Sequence, residues 1–206
     1  MPFVSPLILG THNRKKGEEL AEQLAPLGIE VQTLATLSEA IEVVEDGDSF
    51  AENSSKKAVQ QARHLGRWVI GEDSGICVDA LDGAPGIYSA RFSGPQASDE
   101  ANNLLLLEKL AGKPPAARGA HYVCYMTLAD PDGNLRAESE GICRGRIREE
   151  PVGSAGFGYD PLFEVIEYHR TFGQLGATVK GVLSHRARAV ALMIPQIRRL
   201  LHEIAA

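Results

Sequence analysis

The sequence predicts a single α/β domain over residues 1–206, with a mixed central sheet flanked by helices. Short apolar runs such as Leu7–Leu9 alternate with stretches that carry leucine or alanine on one helical stripe, which is typical of strands followed by helices. The turn sequence Asp130–Gly133 separates two long extended runs and predicts a hairpin. Because a hairpin pairs antiparallel and strand–helix–strand units pair parallel, the sheet is expected to be mixed.

The first elements of this pattern lie before residue 66. An apolar run that ends at Gly10 predicts a strand, and a helical stripe of leucines follows it. Ile29 and Val31 alternate in the manner of a second strand. Ser49 and Glu52 show the spacing of a capping box, in which each side chain satisfies an unpaired amide at a helix start. We therefore expect a helix directly after Ser49.

Two strands separated by an acidic junction are expected next. Trp68–Ile70 is a buried apolar run, Gly71–Gly75 carries two acids, and Ile76–Val78 alternates as another strand would. The glycines and prolines of Asp82–Pro95 argue against a regular element there. Its central part, Gly83–Arg91, is expected to act mainly as a structural scaffold.

Two helices are predicted in the remaining sequence. Ser98–Leu110 is rich in leucine and begins with acids that suit a helix N-terminus. Ala187–Ile204 places apolar side chains on one face, and Pro195 inside it removes a backbone donor and should kink the helix. The chain shows no repeat, low-complexity tract or linker, which favours one domain.

The composition excludes several classes of protein. The 206 residues include 21 basic and 27 acidic side chains, a formal charge of −6, which argues against nucleic acid as a partner because such binding needs a broad basic face. No apolar run approaches the roughly 20 residues of a membrane span, so no membrane association is expected. Cys77, Cys124 and Cys143 form no C-x-x-C pair, and Met1–Gly10 has no basic residue before its apolar stretch. We expect a reduced, cytoplasmic compartment.

The segment Thr11–Lys16 lies between the first predicted strand and the first helix. Unpaired amides and the helix dipole favour an anion at such a point, and Thr11, Asn13 and Lys16 would add direct contacts. The alternative is that Thr11 or Asn13 merely caps the helix while the basic residues are solvated. The Walker spacing is absent, so the segment is not a P-loop.

Four acids, Glu45, Glu72, Asp73 and Asp79, lie in or beside predicted strand ends. Carboxylate oxygens suit Mg²⁺, which also binds substrate phosphates, so these acids are candidates to converge on one ion. The alternative for each is an ordinary turn or surface position. The adjacent pair Glu72 and Asp73 favours function, because neighbouring carboxylates repel each other unless a cation or hydrogen bonds compensate.

Two later segments carry aromatic and basic groups. Gly156–Pro161 offers aromatic faces that stack on a purine, and Asp160 can accept from a ring N–H. The alternative is a packed turn with Phe157 in the core. Lys180 and Ser184–Arg186 place positive donors before the last helix, where a phosphate or base edge would meet them, or they belong to a solvated surface.

Together these segments closely resemble the inosine triphosphate pyrophosphatase family, also called XTP/dITP diphosphatases, which act on noncanonical purine nucleotides. The resemblance covers nearly the whole chain. It rests on Thr11-x-Asn13-x-x-Lys16, Glu45 to Lys57 with its Ser49-Phe50-x-Glu52-Asn53 core, Asp73-Ser74-Gly75, Asp79-Ala80-Leu81, Gly83 to Arg91, Phe157-Gly158-Tyr159-Asp160-Pro161 and Ser184-His185-Arg186.

The resemblance implies an elongated central sheet, two lobes with the active-site cleft between them, and commonly a homodimer. Glu45 and Asp73 fall where the family binds Mg²⁺, and Asp73 also falls where its general base lies. The positions that contact triphosphate or nucleotide are Thr11, Asn13, Lys16, Lys57, Ser74, Lys180 and Arg186. The positions that hold the base are Phe157, Gly158, Tyr159, Asp160 and His185.

The chain departs from the family pattern at three places. His12 stands where glycine is usual, which leaves less room for the backbone beside the phosphates. Glu72 stands where aspartate is usual and is one methylene longer. Thr171–Thr178 is poor in the charged residues that are common before Lys180, which makes the placement of that lysine harder to predict.

The resemblance implies an enzyme that cuts ITP, dITP and XTP to the monophosphate and pyrophosphate and so removes them from the nucleotide pool. This chemistry needs a water near the α-phosphorus, a base, and positive charge on the leaving group. Asp73 would accept the proton, and Lys16 and Lys57 would neutralise pyrophosphate. On a metal the Asp73 carboxyl has a low pKa, so we expect activity to rise with pH.

Base selection requires a donor to the 6-oxo group, for which His185, Arg186 or backbone amides near Phe157 are candidates, and guanine must be rejected through its 2-amino group. Two other functions are open at this point. One is a regulatory module that binds a nucleotide without cutting it, against which the presence of both Glu45 and Asp73 argues. The other is a related pyrophosphatase that acts on pyrimidine or modified nucleotides.

Overall fold

The computed structural model describes residues 6–28 and 30–205, with side chains described as far as His202. Within this part of the chain, the strands are β1 (Leu7–Gly10), β2 (Val31–Thr33), β3 (Val69–Val78), β4 (Gly119–Ala129), β5 (Leu135–Ile147), β6 (Phe163–Val165) and β7 (Arg170–Thr171). The helices are α1 (Arg14–Leu24), α2 (Phe50–Leu65), α3 (Asp99–Lys109), α4 (Phe172–Leu183) and α5 (His185–Ala205).

The strands form one seven-stranded sheet in the order β2-β1-β3-β4-β5-β6-β7. β1 pairs parallel with both β2 and β3, whereas β6 pairs antiparallel with both β5 and β7. The short turn at Asp130–Gly133 joins β4 to β5, with the Asp130 amide donating to the Asn134 carbonyl at 3.0 Å. The predicted α/β class, mixed sheet and hairpin are confirmed.

Helices α2, α3 and α5 lie where the sequence predicts them, and α5 continues past Pro195. Ile29 and the side chain of Ile204 lie outside the described residues. Ser49 caps α2 as expected, but the Glu52 carboxylate accepts from the Asp48 amide, so the predicted reciprocal box is wrong. The capping box occurs instead at the start of α4, between Thr171 and Gln174.

The expected junction between two strands at the acidic pair is wrong. Residues Val69–Val78 form one continuous strand, so Glu72 and Asp73 lie inside it. Gly86–Arg91, expected to lack a regular element, forms a 3₁₀ helix. Ser89 anchors that helix, since its hydroxyl donates to the Gly86 carbonyl and accepts from the Ile76 amide, which agrees with a scaffolding role.

The chain divides into two compact units. Unit 1 consists of the chain up to Asp73, Cys124–Gly141 and the chain from Arg186 onward. Unit 2 consists of Ser74–Val123 and Ile142–His185. The unit boundaries fall inside β3, β4 and β5, and at the start of α5.

In unit 1 both faces of the sheet are covered. Leu7 and Leu9 of β1 pack with Leu20 of α1 and with buried residues of α5. The intervening Ile8 packs with Ala58 of α2 on the other face. Double burial explains why β1 is a continuous apolar run instead of an alternating one.

Unit 2 has its own core, and aromatic rings are prominent in it. Tyr122 lies 4.7 Å from Phe163 between ring centroids, and Phe163 stacks on Phe172 at 5.5 Å. Leu106 of α3 and Tyr159 are buried in the same cluster. α4, β6 and β7 contribute to this unit and have no counterpart among the elements predicted from the sequence.

Two further expectations from the sequence concern membrane-spanning helices and disulfides. Among the described residues, no helix is both long and apolar enough for a membrane crossing. No disulfide joins Cys77, Cys124 and Cys143, all of which lie in the described part of the chain.

Gly71 lets α2 approach β3 at very short range. A Cβ at this position would overlap the Ser54 carbonyl oxygen and lie 2.7 Å from the Ala58 amide nitrogen. The Ser54 hydroxyl also donates to the Gly71 carbonyl at 3.0 Å. Helix and strand backbones are therefore in direct contact, two residues before Asp73.

We expect Gly71→Ala to destabilise the protein by about 1–3 kcal/mol, because the methyl group must push backbone atoms apart. Urea unfolding measures this. Gly181→Ala is the matched control, since a Cβ there meets open space. Equal loss of stability in both variants would contradict the close contact.

A buried carboxylate organises the β5–β6 pair. The Glu164 Oε1 atom accepts from Arg146 Nε at 2.9 Å, and its Oε2 atom accepts from Arg148 Nη1 at 2.7 Å. Burial opposes ionisation, but the hydrogen bonds from Arg148 and Arg146 outweigh it and lower the pKa of Glu164. These side chains line a cavity of about 630 Å³ that contains none of the predicted site residues.

Because its pKa is lowered on folding, Glu164 contributes stability above its unfolded pKa, and that contribution disappears as pH falls through the folded value. Glu164→Gln should cost about 1–2 kcal/mol at pH 7, with a smaller cost below about pH 4. Urea unfolding at both pH values, with the exposed Glu150→Gln as control, measures the difference. A cost that does not change with pH would contradict the assignment.

Candidate active site

Alternation along β3 sends the side chains of Glu72 and Asp73 to opposite faces of the sheet. Asp73 is buried and accepts from Asn53 Nδ2 at 3.3 Å and from Lys57 Nζ at 3.2 Å. Both partners belong to α2, the helix that approaches β3 closely at Gly71. Lys57 Nζ also donates to Glu45 Oε2 at 3.0 Å. One ammonium thus joins the carboxylates of Glu45 and Asp73.

Glu72 is also buried, with a different set of cations. Its Oε2 atom accepts from Lys16 Nζ at 3.1 Å, and its Oε1 atom accepts from Arg186 Nη2 at 3.1 Å. The Cys124 Sγ atom lies 3.5 Å from Oε1. Arg186 is fully buried and also donates to Glu19. The expected compensation for two adjacent acids is therefore real, and side chains of the protein supply it on both faces.

The four acids proposed to converge do not all do so. Glu45 and Asp73 meet at Lys57, whereas Glu72 binds Lys16 and Arg186. Asp79, in unit 2, is 68% exposed at its side chain and lies 3.9 Å from His121 Nδ1. Within residues 6–28 and 30–205, no group of three or more His, Cys, Asp or Glu side chains is placed to hold a metal ion.

The electrostatics of this group are dominated by burial and by ion pairs. Burial raises the pKa of the Asp73 carboxyl, and the Lys57 and Lys16 ammoniums oppose that rise. The low pKa expected from the sequence presupposes a bound cation. Burial also acts against the charge on Lys57, but Asp73 and Glu45 prevail and raise its pKa. Lys57 is therefore held as a cation.

The segment between β1 and α1 shows a capping role. Asn13 Oδ1 accepts from the Lys16 amide at 3.2 Å and caps α1. The Asn13 amide donates to Thr11 Oγ1 at 3.1 Å. The capping alternative thus holds for Asn13. Lys16 is not solvated, because its ammonium binds Glu72.

In unit 2, Asp160 closes the loop Phe157–Asp160, here called the aromatic loop. Its Oδ2 atom accepts from the Phe157 amide at 2.9 Å and from Lys180 Nζ at 2.7 Å. The Lys180 ammonium lies 4.1 Å from the centroid of the Phe157 ring, which is a cation–π contact. Lys180, whose placement was hard to predict from the weakly charged segment before it, is buried.

Tyr159, not Phe157, occupies the core at this loop. Tyr159 is buried and its hydroxyl donates to the Ser89 carbonyl at 2.8 Å. Burial raises the pKa of its phenol, and the Asp99 carboxylate adds to the rise. Phe157 is only partly buried. The alternative of a packed turn is therefore correct, but the aromatic residue in the core is Tyr159 and not Phe157 as expected.

The remaining predicted residues lie within β3 and where α4 meets α5. Ser74 follows Asp73 in β3 and is partly buried. His185 is buried at the start of α5 and stacks on Tyr122, with ring centroids 4.5 Å apart. The Ser184 amide donates to the Lys180 carbonyl at 3.0 Å.

Sequence reasoning missed several contributors. Asn53 belongs to a quoted motif, but no role was assigned to it, although it donates to Asp73 and accepts from the Gly47 amide at 2.8 Å. Glu19 and Cys124 reach the site through helix and strand packing, and no local pattern distinguishes them.

A comparison with known proteins identifies the family. The family model described as the Ham1 family matches residues 7–196. A dITP/XTP pyrophosphatase of Rhodopirellula baltica is 56% identical over 194 residues, which is 94% of this chain and 93% of the relative. Another from Exiguobacterium sp. is 48% identical over 93% of this chain and 96% of the relative.

Solved structures agree with this assignment. The Staphylococcus aureus Ham1 protein has a TM-score of 0.84 at 34% identity, covering 95% of this chain and 99% of that one. A HAM1 protein from Coxiella burnetii has a TM-score of 0.85 at 31% identity, covering 94% and 98%. The resemblance seen in the sequence is confirmed, and the chain belongs to the Ham1 family.

Proposed function

We propose that the protein hydrolyses noncanonical purine nucleoside triphosphates, namely ITP, dITP and XTP, to the monophosphate and pyrophosphate. The observation that carries this proposal is the buried carboxylate of Asp73, fixed by Asn53 and Lys57 beside Glu45. The relatives named dITP/XTP pyrophosphatase support it. In the cell, such an activity removes these nucleotides from the pool.

Mg²⁺ is the proposed cofactor, with Glu45 and Asp73 as its protein ligands. Both carboxylates lie within hydrogen-bond distance of Lys57 Nζ, so the two acids are near each other, and oxygen donors suit Mg²⁺. When bound there, Mg²⁺ would hold phosphate oxygens and favour deprotonation of the attacking water.

The charge balance around Glu72 and Asp73 also favours a divalent cation. In the ion pairs that connect to Glu72 and Asp73, three basic side chains face four acidic ones: Lys16, Lys57, Arg186, Glu19, Glu45, Glu72 and Asp73. The cluster has no excess of positive charge to offer a triphosphate. A bound cation would correct that deficit at the point where the substrate is most negative.

The side chains of this cluster would divide the work of hydrolysis. Asp73 would take the proton of the attacking water, since its carboxylate is held in place by two donors of α2. Lys57 and Lys16 would neutralise the leaving pyrophosphate. In their present ion pairs both ammoniums are already oriented, which lowers the entropic cost of placing them.

Recognition of the base is assigned to the aromatic loop and His185. The Phe157 ring offers a stacking surface, and Lys180 holds one side of it. The amide of Phe157 donates to Asp160, and Arg186 donates to Glu19 and Glu72. The candidate donors to the 6-oxo group are His185, Arg186 and the backbone amides near Phe157.

We further propose a cytoplasmic homodimer. The absence of a disulfide among the three cysteines, all described, agrees with a reducing compartment. The segment Asp82–Pro95, in which Tyr88 is 56% exposed, and the hairpin after Tyr122 are the candidate contacts.

A substrate panel tests the reaction and the choice of base together. We expect pyrophosphate release from ITP and XTP at least about tenfold faster than from GTP or ATP, because a hydrogen-bonding site discriminates strongly between exocyclic groups. Release should require Mg²⁺. Equal rates of pyrophosphate release from all four nucleotides would contradict the selectivity. Tight binding of a nucleotide with no release of pyrophosphate would identify a regulatory module. Faster release from UTP would identify a pyrimidine enzyme.

Substitution of the two acids separates their roles. Asp73→Asn should lower turnover of ITP by about 10²–10⁴-fold with little change in nucleotide binding, because a general base is lost. Glu45→Gln should also lower turnover, because a proposed Mg²⁺ ligand is weakened, but high Mg²⁺ concentrations should restore it. Asp132→Asn, in the exposed turn between β4 and β5, is the charge-matched control. Hydrolysis of ITP by Asp73→Asn at the parental rate would show that Asp73 is not the base.

A further inference from the structure

Two side chains of helix α3 form hydrogen bonds with one residue of the aromatic loop, Gly158. The Gly158 amide donates to Asp99 Oδ2 at 2.7 Å, and the Gly158 carbonyl accepts from Asn103 Nδ2 at 3.0 Å. Asp99 and Asn103 are four residues apart on α3, so they share one face of the helix. Both polar groups of one loop residue are thus bound by one helix.

Gly158 needs such an external restraint. It has a φ of +61°, in the left-handed region, and it has no side chain with which to pack. The other described anchors of the loop act on its neighbours: Asp160 binds the Phe157 amide, and Tyr159 binds the Ser89 carbonyl. The two α3 contacts therefore orient the peptide groups between Phe157 and Tyr159, together with the hydrogen bond that the Asp160 amide donates to the Phe157 carbonyl at 3.3 Å.

Helix α3 is well suited to act as a fixed support. Ser98 caps its N-terminus by accepting from the Ala101 amide at 3.1 Å. Leu106, on the same helix, is fully buried in the core of unit 2. Asn102 is buried and accepts from the Ser93 amide at 2.8 Å, so the helix also holds the segment that contains Ser89.

We infer that Asp99 and Asn103 are positioning residues for the nucleotide base, and that they act by clamping Gly158 and so holding the aromatic loop in shape. This inference rests on the proposed function, which places the base at that loop. Neither residue belongs to the motifs on which the family resemblance rests.

The clamp affects binding of the base and not the chemical step. Without the hydrogen bonds from α3, the peptide groups of Gly158 can rotate. The Phe157 ring then moves relative to Lys180, and its contact with the base is weakened. Asp73, the proposed proton acceptor, lies in unit 1 and binds residues of α2. Loss of the clamp should therefore raise KM and weaken base discrimination while kcat changes little.

Two substitutions at each clamp residue test the clamp, one a truncation to alanine and the other nearly isosteric. Asp99→Ala and Asn103→Ala should each raise KM for ITP about tenfold, the value of one strong hydrogen bond. Asp99→Asn keeps an acceptor oxygen and should restore most of the affinity. Asn103→Asp removes the donor and should not. Leu104→Ala, exposed on the same helix, is the control.

The measurements separate a positioning role from a purely structural one. In Asp99→Ala, amide hydrogen exchange at Gly158 should accelerate, and the ratio of kcat/KM for ITP to that for GTP should fall. The midpoint of thermal unfolding should be about the same in Asp99→Ala as in Asp99→Asn. Unchanged exchange at Gly158 would show that the clamp does not exist. Faster exchange with an unchanged KM and ratio would overturn the positioning role.

Failure of the proposed function is recognised separately. Pyrophosphate release by the parental protein is recorded first, and its absence contradicts the hydrolytic activity. The dissociation constant of ITP, measured by calorimetry in an Asp73→Asn background, then tests the clamp without turnover. A constant that Asp99→Ala leaves unchanged would contradict the clamp whatever the parental activity is.

Discussion

The structure depends on placing two adjacent carboxylates, Glu72 and Asp73, inside a buried strand. An unpaired buried charge costs several kcal/mol, so each acid needs a cation on its own face of β3. Lys57 of α2 serves Asp73, and Lys16 of α1 together with Arg186 of α5 serves Glu72. Three helices that are distant in sequence are thereby tied to one strand, and we propose that two of these cations, Lys16 and Lys57, also neutralise the leaving pyrophosphate.

Close backbone approach is the second requirement, and it is met by removing side-chain atoms. At Gly71 the absence of a Cβ lets α2 touch β3, which brings Asn53 and Lys57 to Asp73. At Gly156 a Cβ would overlap Asp160 Oδ2, so only glycine lets that carboxylate close the aromatic loop. In both cases the position of a predicted site residue depends on a nearby glycine.

The strongest periodic signals predicted the fold well, and the short elements escaped notice. Helices α2, α3 and α5 and the β4–β5 hairpin are long enough to show their periods in the sequence. β6 and β7 have three and two residues, too few for alternation to be seen. The acidic segment Gly71–Gly75 was expected to be a junction between two strands, but β3 continues through it, and the close contact of Gly71 with α2 lies inside the strand.

The sequence by itself determined the α/β class, the family and the types of side chain available at the site, because motif order and hydrophobic periodicity are local properties. Only the tertiary structure decided which acid meets which cation. Glu45 reaches Asp73 through Lys57, Glu72 is taken by Lys16 and Arg186, and Asp79 stays exposed. Pairing of this kind depends on strand alternation and helix packing, which join residues far apart in the chain and leave no local pattern.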